Sequence, residues 1–388
     1  MIFFLIPFFL YILTISFTST YLVVFFAPPS IIPLIYICLL FTVFLIANKV
    51  RFSYHVKITT IYLIVVFFLV VIDFFLYGSM EIWYLYMFTS FAVYLVFFLG
   101  ISSHQGDLIK FLHIYAYMII IGSLFAFGYE YFQLIYQGIS YDQLANKASS
   151  HYKSIGINQV GYRPLGLFGQ YTINSILPIL AYIAVDCTGK LNIDTNRKPV
   201  LNYMKVLLFL SVLIIVLIAG SGIGYIIFVT YVSYLLLKKS AGFIVAIFLI
   251  SFSLLFFFPN GLGIEKISVD NILWNIDILI KGFSDYQDLG LVELFLGADP
   301  KKNVGNIDTA LTIVLNKSGI IGLLLMIFFY TWVIRAIDKE AKVFVYFMLL
   351  GSMHYPVLSN QATHILFALI MAVSWKLSIK KSVKLTPI

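Results

Sequence analysis

Apolar residues run in blocks along this chain instead of alternating with polar ones. Polar breaks separate about twelve blocks, near 2–26, 30–47, 58–77, 82–100, 113–136, 172–187, 204–219, 222–237, 241–258, 312–334, 343–357 and 362–377. A block of roughly 17–25 apolar residues crosses a bilayer as a helix. Within lipid only a helix or a closed barrel satisfies the backbone. The pattern therefore predicts a bundle of about twelve transmembrane helices. The first block lacks a basic leader and exceeds a signal-peptide core, so it reads as a retained first helix. Glu130 in the fifth, Asn174 and Pro178 in the sixth, and the shortness of the last two make these the candidates for broken or re-entrant helices.

Composition agrees with the pattern. The chain is 62% hydrophobic and 11% charged, with a mean hydropathy of +1.01, which excludes a soluble globule. The net charge of +8 follows a membrane rule and is no nucleic-acid signal. Basic residues gather in alternate connections, such as Lys49 to Lys57, Lys110, Lys190 to Lys198, Lys238-Lys239 and Arg335 to Lys342. The short connections between them, Pro28-Pro29-Ser30, Gly78-Ser79-Met80-Glu81 and Gly220-Ser221-Gly222, carry no positive charge. The positive-inside rule then places both termini in the cytoplasm. The expected fold is an all-α polytopic membrane protein, one integral membrane domain over 1–388, with two large extracytoplasmic loops at 137–171 and 259–311. Cys38 and Cys187 lie in or at the end of apolar runs and read as core filler. No zinc spacing, P-loop or dinucleotide fingerprint is present, so neither a metal nor a cofactor is expected.

Loops of this length between tight hairpins usually carry function. In the second, Ile272, Ile276, Leu279 and Phe283 recur at helical spacing opposite Asn271, Asn275 and Asp277. This predicts an amphipathic helix on the membrane surface. The first loop ends in Gly161-Tyr162-Arg163-Pro164-Leu165-Gly166-Leu167-Phe168-Gly169-Gln170-Tyr171-Thr172-Ile173-Asn174. Arg163 is one of four arginines in the chain, and in this topology it alone lies outside. Pro164 stiffens its turn, and Gly166 and Gly169 let backbone amides approach a ligand. The helix that follows presents its positive end outward, where anions bind. Arg163 thus suits a phosphate or carboxylate; an ion pair with Glu130 or Asp142 is the plainer alternative. Gln170 and Asn174 share a helix face if the helix has begun by then, and would orient polar groups.

In the second loop Asp308 precedes the tenth helix, either as an N-cap or as a base facing Arg163. Lys301 and Lys302 are either solvated charges or supports for a diphosphate. His151 shares the Arg163 loop, and His354 and His364 also fall near the outer side; a near-neutral pKa makes histidine a usual general base. Asp73 lies inside the third block, close to its outer end.

Tyr162-Arg163-Pro164-Leu165-Gly166-Leu167-Phe168 followed by Asn174, the Gly220-Ser221-Gly222-Ile223-Gly224 hairpin, and Gly305-Asn306-Ile307-Asp308 leading into Gly319-Ile320-Ile321-Gly322 are loose motifs whose order is distinctive. With the loop arrangement, the chain resembles the bacterial O-antigen and capsular polysaccharide polymerases, in the superfamily that includes the O-antigen ligases. The resemblance implies an enzyme of the bacterial plasma membrane. It would transfer a growing glycan from undecaprenyl diphosphate to a lipid-linked oligosaccharide repeat unit on the outer face. Arg163 would handle the diphosphate, and Asp308 or His151 would serve as base. Lys281, Lys301 and Lys302 would share the cationic work, and Tyr162 would stack on sugar. Ile223 stands where many relatives have arginine, and the second loop offers lysines where many have histidine or arginine. The partners implied are the lipid-linked donor and acceptor, the bilayer, a chain-length regulator and a flippase. An O-antigen ligase is the nearest alternative, and a polysaccharide flippase or transporter is the alternative from another class.

Overall fold

The computed structural model describes residues 108–136, 166–168, 171–191, 200–238, 289–299, 310–352 and 360–384, with isolated positions between 61 and 76 and at 280 and 357. The described residues are overwhelmingly helical and contain no strand. Eight helices appear among them: α1 (Leu108–Tyr136), α2 (Tyr171–Leu191), α3 (Val200–Ala219), α4 (Gly222–Lys238), α5 (Leu291–Leu296), α6 (Ala310–Ala336), α7 (Lys339–Gly351) and α8 (Gln361–Lys384). Seven coincide with apolar blocks read from the sequence. The blocks near 2–26, 30–47, 82–100 and 241–258, and the amphipathic helix around Ile272, lie outside the described residues.

α2 is the axis of the bundle. It packs against α1, α3, α4, α7 and α8, and every described side chain from Thr172 to Thr188 is buried. A helix apolar on all sides belongs in such a place. Its polar residues sit at the two ends, Thr172, Asn174 and Ser175 at the head and Asp186 and Thr188 at the foot. Pro178 lies within it. It removes the N–H that would bond to the Asn174 carbonyl, yet the helix continues through it to Leu191.

The surrounding helices bury one apolar face and expose another. On α1, Leu112, Tyr115, Ile119 and Phe127 face inward, while Ile121, Phe125, Tyr129 and Phe132 are exposed. α3 exposes Leu207, Leu210 and Ile214, and α6 exposes Leu324, Ile327 and Phe328. Apolar stripes of this extent are foreign to a water-facing surface. Two helical segments, Leu108–Tyr129 and Ser318–Ala336, are long and apolar enough to cross a membrane.

The interruption in the bundle falls where the sequence did not mark it. α6 is one apolar block, but Gly319 within it has φ 60° and ψ −166°, outside any helix. The sixth block, marked by Pro178 as a candidate for breaking, runs unbroken as α2.

Candidate functional site

Two of the motif segments quoted from the sequence meet at the head of α2. Gly166, Leu167 and Phe168 form a turn that seats on α1 and α2 together. Gly166 has φ 59°, a conformation natural to glycine and costly to other residues. A Cβ there would stand 2.6 Å from Asn174 Cγ and 2.6 Å from Phe127 Cε1, so the close fit requires the missing side chain as well. The Phe168 N–H donates to Asn174 Oδ1 at 3.1 Å, and Asn174 is fully buried. The Leu167 side chain reaches the backbone beside Gly122 on α1.

The Gly220–Gly224 hairpin arrives beside this turn. Gly220 turns the chain with φ 59°, and its N–H closes α3 on the Val216 carbonyl at 3.2 Å. A Cβ on Gly224 would overlap Ser175 of α2, one residue beyond Asn174. Ser175 keeps its hydroxyl on the Thr172 carbonyl at 2.7 Å. Gly351, at the end of α7, closes on Ile176 and Ile227. The head of α2 is therefore a junction of small residues, at which α1, the 166–168 turn, the α3–α4 hairpin and the end of α7 converge.

The described part of the third motif segment, Gly319 to Gly322, lies on α6. The backbone of Phe295 and Leu296 in α5 lies directly on Gly319, so close that a Cβ there would overlap the Phe295 carbonyl. Breaking a helix deprives its backbone of partners, and this chain supplies substitutes. The Ala298 N–H donates to the Asn316 carbonyl at 2.6 Å, and the Ser318 hydroxyl folds back to the Val314 carbonyl at 2.6 Å. Glu293, buried in the same segment, accepts from the Gly290 N–H at 3.1 Å and the Asp299 N–H at 3.4 Å. Its carboxylate thus ties both ends of 290–299 together. α6 meets the main bundle through Tyr330, whose ring lies 6.1 Å from that of Phe367 on α8.

Of the residues proposed from sequence, Asn174 is described, and it fastens the turn that follows Arg163 in the chain. Arg163, His151, Tyr162, Gln170, Lys281, Lys301, Lys302 and Asp308 lie outside the described residues, as do Asp73 and His354. His364 is buried on α8, and Cys187 is buried on α2.

A charged group at the foot of α2 escaped the sequence reading. Asp186 is 7% exposed. Tyr231 of α4 donates its hydroxyl to Asp186 Oδ2 at 2.9 Å, and Lys205 Nζ of α3 lies 3.5 Å from Oδ1. Both carboxylate oxygens are thereby engaged, each by a different helix. Nearby, His113 Nε2 of α1 is 2.9 Å from Thr188 Oγ1. Asp186 sits at the end of an apolar block, so by sequence it passes for an interfacial residue. The i+19 spacing to Lys205 carries no periodic signal that would have paired them. Comparison of the chain with family models, curated proteins and solved structures finds no match.

Proposed function

We propose that this chain is a polytopic protein of the bacterial plasma membrane, with about twelve spanning helices and both termini in the cytoplasm. In this reading it polymerises lipid-linked repeat units of an O-antigen or capsular polysaccharide on the outer face. The exposed apolar stripes on α1, α3 and α6 support the membrane setting. The observation that carries the reading is the anchorage of the Gly166–Phe168 turn at the head of α2, three residues after Arg163. A turn fixed to α1 and α2 at once suits a cation that must be preorganised.

The reaction joins an acceptor hydroxyl oxygen to the anomeric carbon of the donor sugar as the bond from that carbon to the diphosphate breaks. The bonding pair leaves on the diphosphate, and the hydroxyl proton passes to a base. A fixed guanidinium stabilises the departing charge best where water is excluded. Arg163 fills that role, with Lys281, Lys301 and Lys302 as further cations. Asp308 or His151 takes the proton, and Tyr162 and Gln170 border the sugar. Arg163→Ala inserts normally and leaves single repeat units on the carrier in place of a ladder of chain lengths. A normal ladder in that variant, read on a gel of extracted glycan, refutes the assignment.

One observation favours a second reading. Asp186 is an ionisable group buried among helices, and such groups often mark a transport path. A flippase would need it for translocation, so Asp186→Asn would strand repeat units on the inner leaflet. A polymerase would instead keep supplying single units to the outer face in that variant.

A further inference from the structure

Gly224 is buried in the first turn of α4, without the left-handed backbone that Gly166 and Gly220 adopt. Alanine is the better helix former at such a position, so the backbone does not call for glycine there. The packing does. A Cβ on Gly224 would stand 2.6 Å from Ser175 Cβ and overlap Ser175 Oγ. An ordinary carbon–carbon contact needs about 3.5–4.0 Å, so a methyl group would part α4 from the head of α2 by about 1 Å. Turning the Ser175 side chain gives no relief, because its Cβ is fixed to the backbone and its hydroxyl is held by the Thr172 carbonyl.

The α3–α4 hairpin is braced against retreat. Near its tip the Tyr225 hydroxyl donates to the Leu217 carbonyl at 3.3 Å and ties α4 to α3. At its other end Lys205 and Tyr231 hold Asp186 of α2. Gly351 of α7 closes on Ile176, the residue after Ser175. A displacement at Gly224 therefore passes to Ser175 and to Asn174 beside it. The tolerance there is small. The Phe168 N–H is already 3.1 Å from Asn174 Oδ1, near the long end of the usual range, and Gly166 is closed on the same carboxamide.

We infer that Gly224 is a positioning residue. The glycine tip of the α3–α4 hairpin backs Ser175, and through Asn174 it sets the 166–168 turn that follows Arg163 in the chain. The inference rests on the glycan-transfer reading for the reaction that registers it. A reacting group displaced by about 1 Å loses on the order of a hundredfold in rate, so a contact this close bears on turnover without touching substrate.

The test uses the full chain as Gly224→Ala, Ser175→Gly and the double variant. In proteoliposomes with the lipid-linked repeat unit, Gly224→Ala should lower kcat per folded protein roughly ten- to a hundredfold, with KM for the acceptor little changed. Ser175→Gly opens a gap at the same contact and should cost less. The double variant puts one Cβ back into that gap and should recover most of the loss, a departure from additivity that marks residues in contact. A second readout needs no activity: in detergent, chymotrypsin should cut at Tyr162, Leu165 and Phe168 faster in Gly224→Ala and more slowly again in the double variant. Wild-type kcat in Gly224→Ala overturns the inference, as does a lowered kcat with cleavage at the turn unchanged. So does a double variant no better than Ser175→Gly, a comparison that stands even where Gly224→Ala fails to accumulate. Cleavage that follows Gly224 and Ser175 in a protein whose Arg163→Ala variant still makes a normal ladder keeps the hairpin's hold on the turn and removes the polymerase reading. Loss of the ladder in Arg163→Ala, with kcat and cleavage indifferent to Gly224, does the reverse.

Discussion

Replacing Gly319 by alanine tests whether the interruption of α6 is built into the fold. Two separate costs follow from the structure. The backbone at φ 60° and ψ −166° lies in a region held almost only by glycine, and a side chain there costs about 1–3 kcal/mol. The added Cβ would also overlap the Phe295 carbonyl and stand 2.7 Å from Leu296 N. These are main-chain atoms of α5, so relief requires moving that helix. The move puts the Ala298–Asn316 hydrogen bond at risk, for about 1 kcal/mol more. The expected total is about 2–4 kcal/mol, a large share of the roughly 5–15 kcal/mol that holds a domain together. Gly128 supplies the control. It lies exposed on α1 with nothing within 4 Å of an added Cβ, so Gly128→Ala stabilises by up to about 1 kcal/mol through helix propensity. The measurement is thermal unfolding of both variants in one detergent, followed by tryptophan fluorescence. A Gly319→Ala protein that melts with or above Gly128→Ala would mean that α6 runs straight and that α5 does not rest on it.

Other expectations concern the two ends of α2. Asn174→Ala removes the acceptor of the Phe168 N–H and costs about 1–3 kcal/mol; limited proteolysis should then cut within 161–170 faster than in wild type, and equal rates refute the anchorage. Lys205→Met removes the ion-pair partner of a buried carboxylate, Asp186. Because Lys205 is itself 22% exposed, the expected loss is below the 3–5 kcal/mol of a fully buried pair, at about 1–3 kcal/mol. The double variant Asp186→Leu with Lys205→Met should recover much of that loss in the same melting assay; simple additivity would show that the pair is not coupled. Arg163→Lys should lose most polymer, since an ammonium does not reproduce a bidentate fork; a full ladder would leave Arg163 as a mere fastening of its loop.

The sequence made the helices legible and left their arrangement hidden, for one physical reason. In a chain this apolar, the length of a run reports a helix, but no polar stripe reports which side faces protein. α2 reads like α1 or α3, although its neighbours bury it on every side. α5 is too short for any periodicity to show, and its signals are Gly290 and Gly297 at its ends with Glu293 three residues after the first. The break at Gly319 is not legible because a glycine in an apolar run costs only about 1 kcal/mol in a helix and is commonly absorbed, as Gly322 is in the same helix. Pro178 drew attention instead, yet close packing holds α2 together around it. At the candidate site, the motif around Arg163 put Asn174 forward as a group that orients substrate. The structure gives its carboxamide a packing role that no spacing signals: it fastens a turn six residues upstream, and the Ser-Gly hairpin seats against the next residue.

The burial of α2 by helices that follow it in the chain has a consequence for biogenesis. The ribosome delivers Tyr171–Leu191 before α3, α4, α7 or α8 exists. At its lower end the wait is short, since Lys205 and Tyr231 emerge within the next two helices and neutralise Asp186. At its upper end the wait is long, because Gly351 is translated some 175 residues after Ile176. A nascent chain halted after α4 would thus have a settled foot, while its crown would still lack the end of α7.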